Sequence, residues 1–477
     1  MATAYKTPGV YVEEISKFPP SVAAVETAIP AFIGYTAIAQ EVTAGDLVNK
    51  PKRISSLVEY ETYFGGAQPE TAVQVTIATA TDGTRSATAT LAEVSRSLHI
   101  LFYEMQMFFA NGGGPCYVVS AGIHKTLGTA LVETELHAAL DAVAKEDEPT
   151  LIVIPEAQYL GISDFGTLQT GALAQCATLQ NRFVIMDAHG DTVSLSIPNT
   201  PTGKTITDAM NNFRPAVGAN NLKYGAAYAP NIETVLDFAV DESATVVTIG
   251  ANSPKLADLN DHTNTAAFDT QAYNLAKAAI MDLGNTLPPS GAVAGIYAAV
   301  DNARGVWKAP ANVSVNAVIQ PAIPITNADQ DGMNVDPTTG KSVNAIRNFA
   351  GLGTLVWGAR TLAGNDNEWR YVNVRRFTIF AETSIRKAAQ QFTFEPNDAN
   401  TWVKVQGMIE NFLTTLWRQG ALQGVKPEDA FYVAVGLGKT MTADDILEGR
   451  MIVEVGMAVV RPAEFIILQF SQLMAVS

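Results

Sequence analysis

The C-terminal part of the chain contains three informative segments: FEPNDANTWVKVQGMIENFLTTLWRQGALQG (394–424), KPEDAFYVAVGLGKT (426–440) and GRMIVEVGMAVVRPAEFIILQF (449–470). The first segment predicts a capped amphipathic helix from about Asp398 to Gln419, which Gly420 ends. The other two segments predict strands. The last of these strands, Glu464–Phe470, has apolar residues on both faces. Such a strand needs pairing partners, and this stretch alone does not show where they lie.

The predicted helix has one apolar and one charged face. Its apolar face consists of Trp402, Val405, Ile409, Phe412 and Leu416, and its other face presents Lys404, Glu410 and Arg418. This pattern is typical of a core helix with one solvated side.

Length and composition restrict the protein class. A chain of 477 residues with 47% apolar and 16% charged residues predicts about two or three domains with large cores. No apolar run approaches the ~18 residues of a membrane span, and MATAYKTPGVYVEEI at the N-terminus does not resemble a signal peptide. The isolated Cys116 and Cys176 indicate a reducing compartment and no metal site.

The net charge of −16 argues against nucleic-acid binding. Phosphate would be repelled by the average charge, and no block of Lys and Arg with interleaved aromatic residues interrupts the pattern. We expect the acidic excess to keep a large protein soluble.

Residues 1–25 predict an extended arm. Thr7-Pro8-Gly9 is a turn signal, Val10–Ile15 alternates like a short strand, and Phe18-Pro19-Pro20 interrupts regular structure. An isolated terminal strand does not stabilise itself, so the arm either pairs elsewhere or is a frayed tail.

Residues 26–120 predict a mixture of strands and helices. In order, these are a buried strand at Ile29–Gly34, a capped helix at Ser55–Gly65, an exposed hairpin or loop at 67–90, a helix at Leu91–Ala110 and a strand at Cys116–Val119. The glycines of Asn111–Pro115 follow a helix instead of preceding one. They are therefore predicted to cap that helix, not to bind phosphate.

Residues 121–290 predict a separate α/β unit. Strand-like runs at Leu151–Pro155, Phe183–Asp187 and Tyr224–Tyr228 alternate with helical segments at Leu131–Ala144, Phe165–Gln180 and Thr263–Leu283. The alternation predicts a mostly parallel sheet with covering helices. From Gly291 onward the composition shifts back toward glycine, valine and turn residues.

Catalytic signatures are weak. The two GKT tripeptides, at 203–205 and 438–440, lack the glycine that a phosphate loop requires five residues earlier, where Pro198 and Val433 stand. Asp187, His189 and Asp191 follow a predicted strand, where α/β active sites often lie. No second cluster completes a site and no GxSxG elbow occurs, so a surface turn is favoured over a hydrolase or metal-dependent enzyme.

Several short sequence motifs are similar to motifs of one protein family. They are PGVYVEE (8–14), KYGAAY (223–228), GIYAAVD (295–301), RGVWKAPAN (304–312), VWGARTL (356–362), YVNVRR (371–376), FEPN (394–397) and RPAEF (461–465). They resemble, in the same order, phrases of the tail sheath proteins of contractile phages. The sequences of these motifs are most similar to those of sheaths of extracellular contractile injection particles and R-type pyocins. Residues 67–90 depart from the shortest members.

The resemblance implies a structural protein without enzymatic activity, cofactor or metal. Such subunits stack as hexameric rings around an inner tube, and contraction from a metastable extended state drives the tube through a target membrane. Implied partners are other copies of the chain, the inner tube protein, baseplate and terminal cap proteins and, in some particles, sheath paralogues. Neither nucleic-acid binding nor direct membrane insertion is implied. Assembly would occur in the bacterial cytoplasm, before release as an extracellular particle or as a virion tail.

The resemblance also assigns roles to residues. Terminal strands exchanged between neighbours would comprise Val10, Tyr11, Val12, Glu13 and Glu14, and Glu464, Phe465, Ile466, Ile467, Leu468, Gln469 and Phe470. Phe18-Pro19-Pro20 and Arg461-Pro462 would be flexible connectors. Lys404, Glu410 and Arg418 would contact the tube.

The expected fold is therefore mixed α/β. A sheath core would consist of residues 26–120 and 291–460, with an outer α/β domain at 121–290 inserted. The exchange arms would be residues 1–25 and 461–477.

Overall fold

The computed structural model describes residues 21–92, 95–189 and 206–469. The strands among these residues are β1 (Pro30–Thr36), β2 (Lys52–Ile54), β3 (Gln74–Thr79), β4 (Arg85–Thr90), β5 (Cys116–Ile123), β6 (Leu151–Val153), β7 (Phe183–Asp187), β8 (Gly225–Ala229), β9 (Ile232–Thr234), β10 (Val246–Ile249), β11 (Asn285–Leu287), β12 (Val313–Ser314), β13 (Val318–Pro321), β14 (Val343–Phe349), β15 (Gly353–Val356), β16 (Phe431–Val435) and β17 (Val453–Met457).

The helices alternate with these strands along most of the chain. They are α1 (Leu57–Phe64), α2 (Leu101–Ala110), α3 (Glu133–Val143), α4 (Ile162–Leu179), α5 (Ile206–Ala216), α6 (Leu256–Asn260), α7 (Thr270–Met281), α8 (Ser290–Arg304), α9 (Asn327–Asn334), α10 (Val372–Ala389), α11 (Ala399–Arg418), α12 (Pro427–Ala430) and α13 (Ala443–Leu447). No helix in the described ranges is both long and apolar enough to cross a membrane. The mixed α/β class predicted from the sequence is confirmed.

The chain divides into two compact units. Among the described residues, the large unit comprises those of 26–380 and 461–469, and the small unit comprises 21–25 and 381–460. These limits differ from the predicted domain boundaries, which placed 461–477 in an arm and divided the chain at 120 and 290.

A nine-stranded sheet forms the centre of the large unit, in the order β12-β15-β14-β8-β7-β6-β1-β5-β2. The pairs from β14 through β8, β7, β6 and β1 to β5 are parallel. All residues of β6, β7 and β8 are buried. This burial is expected for parallel strands covered on both faces, and it explains why their sequences are nearly continuous apolar runs.

The same sheet extends beyond both ends of the predicted α/β unit at 121–290. Pro30 of β1 pairs with Leu151 of β6, and Val343 of β14 pairs with Ala227 of β8. The predicted boundaries at 120 and 290 therefore fall inside one sheet. Local periodicity identifies strands, but it does not identify which strands become neighbours.

The segment at 67–90 contains the predicted hairpin, β3–β4. The predicted exposure holds for four residues of β3 but is wrong for Val75 and Ile77, which are buried. β3 also pairs in parallel with β10, and α7 packs against both hairpin strands. The hairpin is therefore part of a three-stranded sheet and not a free loop.

Helix α2 begins at Leu101, ten residues later than the predicted start at Leu91. The backbone N–H groups before it bond to side chains instead of helical carbonyls. Ser97 N donates to the Glu70 carboxylate (3.0 Å), and Ile100 N donates to Glu156 Oε1 (3.1 Å). After the helix, Gly112 has a φ of 93°, which confirms that the glycine-rich loop caps α2.

The small unit contains α11 and a two-stranded antiparallel ribbon, β16–β17. Asp398 caps α11 by accepting a hydrogen bond from Thr401 N (3.0 Å), and Gly420 follows its end with a φ of 86°. Helix α11 packs against β16. Its buried residues include Val405, Ile409, Phe412 and Leu416, whereas Trp402 is only partly buried. The predicted helix and its caps are confirmed.

Candidate assembly site

The C-terminal segment, residues 461–469, contains no helix or strand. The predicted strand at Glu464–Phe470 is therefore absent over its described part, and Phe470 lies outside the described residues. The side chains of Phe465, Ile466, Ile467 and Leu468 are 69%, 78%, 81% and 73% exposed. A single chain supplies no neighbouring backbone here, so this apolar sequence has neither the hydrogen bonds of a strand nor an apolar face to cover it.

Glu464, directly before these exposed residues, is held by three side chains. Its carboxylate accepts hydrogen bonds from Arg360 Nε (2.9 and 3.1 Å) and from Arg360 Nη2 (2.7 Å). Asn334 Nδ2 donates at 2.7 Å and the Tyr371 hydroxyl donates at 3.1 Å. We call this cluster of Glu464, Arg360, Asn334 and Tyr371 the Glu464 clasp.

The clasp is built around a buried arginine. The Arg360 side chain is 4% exposed and the Glu464 side chain 21%. Arg360 also donates from Nη1 to the carbonyl of Gly364 (3.2 Å), and its backbone N–H donates to Asn344 Oδ1 (2.7 Å). Because its position is determined on several sides, Arg360 presents a preorganised fork to the carboxylate.

The electrostatics of the clasp favour the ionised carboxylate. Burial by itself raises the pKa of Glu464, but hydrogen bonds from Arg360 and Asn334, together with the Arg360 charge, outweigh burial and hold this pKa below its usual value. Burial and the neighbouring Glu464 carboxylate raise the pKa of Tyr371, so this hydroxyl remains a donor. The clasp is therefore an ion pair with two neutral donors at neutral pH.

A second bond attaches the same segment slightly earlier. Arg461 Nη1 donates to the carbonyl oxygen of Asn367 at 2.9 Å. Pro462 lies between this attachment and the clasp. The predicted connector Arg461-Pro462 is thus bordered on both sides by hydrogen bonds to the large unit.

The β16–β17 ribbon offers unpaired strand edges. Phe431 pairs with Met457 and Val435 with Val453, and no third strand among the described residues adjoins either outer edge. Two-stranded ribbons are marginally stable in water, and an open edge is a template for further strands. The ribbon is therefore a candidate acceptor for strands from other chains.

The predicted tube-contacting residues lie on α11. Lys404 and Arg418 are exposed, whereas Glu410 is partly buried and accepts a hydrogen bond from Gln406 Nε2 (2.7 Å). Lys404 and Arg418 lie about four turns apart on the same face, and Glu410 lies about 120° around the helix from Lys404. The two basic residues thus lie on one face of α11 near its opposite ends, and the acidic residue lies on the flank.

The residues of the alternative enzyme have structural roles. Asp187 is buried, and its Oδ1 accepts a hydrogen bond from Ser290 N (2.9 Å) at the start of α8. His189 is buried, and its Nε2 bonds to the carbonyl of Leu160 (2.9 Å). Asp191 lies outside the described residues. In the described ranges no group of three His, Cys, Asp or Glu residues is arranged to hold a metal ion. The hydrolase or metal-enzyme alternative is not supported.

Asp187 belongs to a group of buried carboxyls that the sequence analysis missed. Glu104 Oε2 accepts from Gly291 N (2.8 Å), the amide next to Ser290, and Glu156 Oε2 accepts from Tyr35 N (2.8 Å). Burial raises the pKa of Asp187 to about 7 and that of Glu156 to about 8, and it raises the pKa of Glu104 well above its usual value. The glutamate in the apolar run LFYEMQMFF (101–109) was a visible signal of this group.

The clasp was also missed. Arg360 and Tyr371 stand in the phrases VWGARTL and YVNVRR, but neither phrase indicates a partner for them. Glu464 was expected to belong to an exchanged strand. Instead it contacts residues of its own chain up to 130 positions away.

Comparison with known proteins agrees on one family. A sequence profile described as the phage tail sheath C-terminal domain matches residues 364–472. The tail sheath protein of Vibrio phage KVP40 is 26% identical over 168 residues, 35% of this chain and 24% of the phage protein. That of Enterobacteria phage T4 is 24% identical over 248 residues, 50% of this chain and 31% of the phage protein. The matched part is thus less than one third of either curated relative.

Solved structures match over nearly the full length. The sheath complex of the extracellular contractile injection system PVC, in the contracted state, is 30% identical with a TM-score of 0.64 and 99% of each chain covered. A chain of the six-fold symmetrised baseplate of the anti-feeding prophage is 31% identical with a TM-score of 0.62, covering 99% of this chain and 100% of that one. The contracted helical sheath of the anti-feeding prophage is also 31% identical with a TM-score of 0.62, covering 98% and 100%. With this identity over almost its whole length, the chain belongs to the family of contractile sheath proteins.

Proposed function

We propose that this chain is the sheath subunit of a contractile injection particle. It polymerises as stacked rings around an inner tube and contracts from a metastable extended state to drive the tube through a target membrane. The observation that carries this proposal is the match of 98–99% of the chain to sheath chains of two contractile systems, both in the contracted state. A relative in a baseplate structure supports contact with a baseplate.

The finer organisation is also proposed. Rings are hexameric, a terminal cap protein ends the sheath, and some particles contain sheath paralogues. The subunit assembles in the bacterial cytoplasm and leaves as part of an extracellular particle or a virion tail.

Neighbouring subunits are joined by exchanged strands. The exposed residues 465–468 of one subunit add to an edge of the β16–β17 ribbon of another, and Val10–Glu14 adds to the other edge. Two features support this: the exposed apolar side chains of the donor and the open edges of the acceptor. Glu464 was predicted to belong to the exchanged strand; since its side chain lies in the clasp, we propose that the strand begins at Phe465.

Strand addition supplies enough free energy to hold subunits together. Roughly four or five backbone hydrogen bonds form, each worth about 0.5–1.5 kcal/mol net. Burial of each large apolar side chain adds about 1.5–3 kcal/mol. Part of this gain offsets the ordering of the segment and the loss of free motion on association.

Contraction needs no nucleotide. The subunits move as rigid bodies, and the difference in contact between the extended and contracted lattices supplies the driving free energy. Strand joints persist through this movement if the chain on either side of the joint bends. Helix α11 lies against the inner tube, with Lys404 and Arg418 as its main charged contacts and Glu410 at the flank.

Electron microscopy of the purified subunit tests the proposal. We expect rings or long striated tubes, and with co-expressed inner tube protein we expect tubes enclosed by sheath. A small particle of uniform size under all conditions, with or without the tube protein, would contradict it.

A further inference from the structure

We propose that the Glu464 clasp is a positioning device that makes Phe465 the first residue free to leave the subunit toward its neighbour. The inference rests on the proposed strand exchange and adds to it a residue-level control of where the donor segment begins. The kind of partner is a second copy of this chain, whose β16–β17 ribbon receives the segment.

The hydrogen bonds of the clasp fix the position of the Glu464 carboxylate. Two nitrogens of Arg360 reach the two oxygens of Glu464, and this forked arrangement orients the carboxylate as well as holding it. Asn334 and Tyr371 donate to the same carboxylate, one to each oxygen. The backbone at Glu464 is therefore attached to the large unit.

From Phe465 to Gln469 every residue is exposed, whereas Pro462 and Glu464 are partly buried. The Glu464 side chain is 21% exposed, whereas the next residue, Phe465, is 69% exposed. The three apolar residues that follow are exposed to a similar extent. The hydrogen bonds that attach this segment to the rest of its chain thus end at Glu464, and the exposed apolar residues begin at Phe465.

The clasp also limits the length of the C-terminal segment that is free to move. Without the clasp the segment would be free from Pro462, since Arg461 keeps its own bond to Asn367. Three additional free residues lengthen the segment by up to roughly 10 Å. When the free segment is longer, its effective concentration at the acceptor edge is lower. It also loses more conformational entropy when it binds. The clasp therefore favours assembly without contacting the neighbour.

The test removes both charges of the clasp together, as R360Q/E464Q. Replacing one partner alone would leave a buried unpaired charge and endanger the fold. The exposed ion pair Arg53–Glu148, at 3.1 Å, provides a matched control, R53Q/E148Q, with the same loss of charges. Y371F removes a single donor and serves as a milder variant of the clasp.

The first readout is made on free subunits. Spin labels at A463C and L352C, both exposed positions of the large unit, report the attachment of the segment through a distance distribution. We expect a narrow distribution in the parent and in R53Q/E148Q, and a broad one in R360Q/E464Q. A distribution that stays narrow in R360Q/E464Q would overturn the inference, because the clasp would not hold the segment.

The second readout is assembly, followed by light scattering and micrographs. We expect R360Q/E464Q to need about tenfold more subunit for the same rate of sheath growth, Y371F to fall between it and the parent, and the control to match the parent. A broad distance distribution with normal assembly would also overturn the inference. If the parent itself forms no sheath, the proposed function fails first.

Discussion

The nine-stranded sheet and the β16–β17 ribbon differ in the length and burial of their edge strands. The edge strands of the large sheet, β2 and β12, have only three and two residues, and its central strands β6, β7 and β8 are buried throughout. Both ribbon strands have five residues, and β17 contains no fully buried residue. Short edges discourage further pairing, whereas longer open edges invite it. The large sheet thus ends in short strands, whereas both edges of the ribbon are open among the described residues.

Deletion of residues 465–477 is expected to have the largest effect on this contrast. The truncated subunit should fold as the parent does, because the four apolar side chains removed from the described part are exposed and support no core. Assembly should be abolished, since the donor strand is missing. Thermal unfolding and electron microscopy together check this. Long sheaths built by the truncated subunit would refute strand donation by this segment.

A proline in the ribbon tests the acceptor. Ala458 N donates to the carbonyl of Ala430, and continuing this antiparallel pattern along the ribbon directs the Val455 N–H toward the outer edge. V455P should leave the ribbon paired but remove an amide needed for strand addition. We expect sheath growth to fall by about tenfold or more, measured by light scattering. V455A is the matched control and should assemble normally; equal growth of the two variants would argue against addition at this edge.

Charge reversal on α11 tests the tube contact. K404E/R418E changes two exposed side chains and should not affect folding. In the proposed contact Lys404 and Arg418 attract acidic groups of the inner tube, and the introduced glutamates would repel them. We therefore expect several-fold weaker loading of sheath onto tubes, with a larger difference from the parent at low salt. Co-sedimentation with preformed tubes measures this. Reversal of two exposed lysines of the large unit, K50E/K145E, gives the same change in net charge and is the control. Unchanged loading of K404E/R418E would leave α11 as a core helix only.

The buried carboxyls predict a smaller effect, on the large unit alone. The pKa of Asp187 is raised to about 7 and that of Glu156 to about 8, so ionisation is harder in the folded chain than in the unfolded one. Stability should therefore fall as the pH rises from about 4 to about 8. We expect a decrease of a few degrees in Tm over this range, and a smaller decrease in D187N. A D187N profile parallel to that of the parent would contradict the assignment.

Much of the fold was predictable because its signals are local. Ser56 and Gly65 border α1 as expected, since Ser56 accepts from Glu59 N (3.2 Å) and Gly65 has a φ of 76°. The parallel strands and α11 were predicted for the same reason. The start of α2 was not, because Glu70 and Glu156 bond the preceding amides from distant parts of the chain. Strand neighbours across residues 120 and 290 are equally non-local.

The candidate site was half predictable. The apolar residues after Glu464 indicate an exchanged strand by their pattern alone, and the structure leaves them exposed. The clasp joins Arg360 to a residue 104 positions later, and no local pattern in a single sequence indicates such a pair. The sequence therefore predicts the proposed donor segment, but it does not indicate the clasp directly before it.

Hydrogen exchange of the β16–β17 ribbon, in free subunits and in assembled sheaths, measures whether strands from neighbouring chains complete it. If strands from neighbours complete the ribbon, outward amides such as Val433 and Val455 should gain at least about 100-fold protection on assembly. The amides of β6, β7 and β8 should exchange equally slowly in both states, because these strands are buried throughout in a single chain. Assembled sheaths in which the β16–β17 amides exchange as fast as in free subunits would contradict the account.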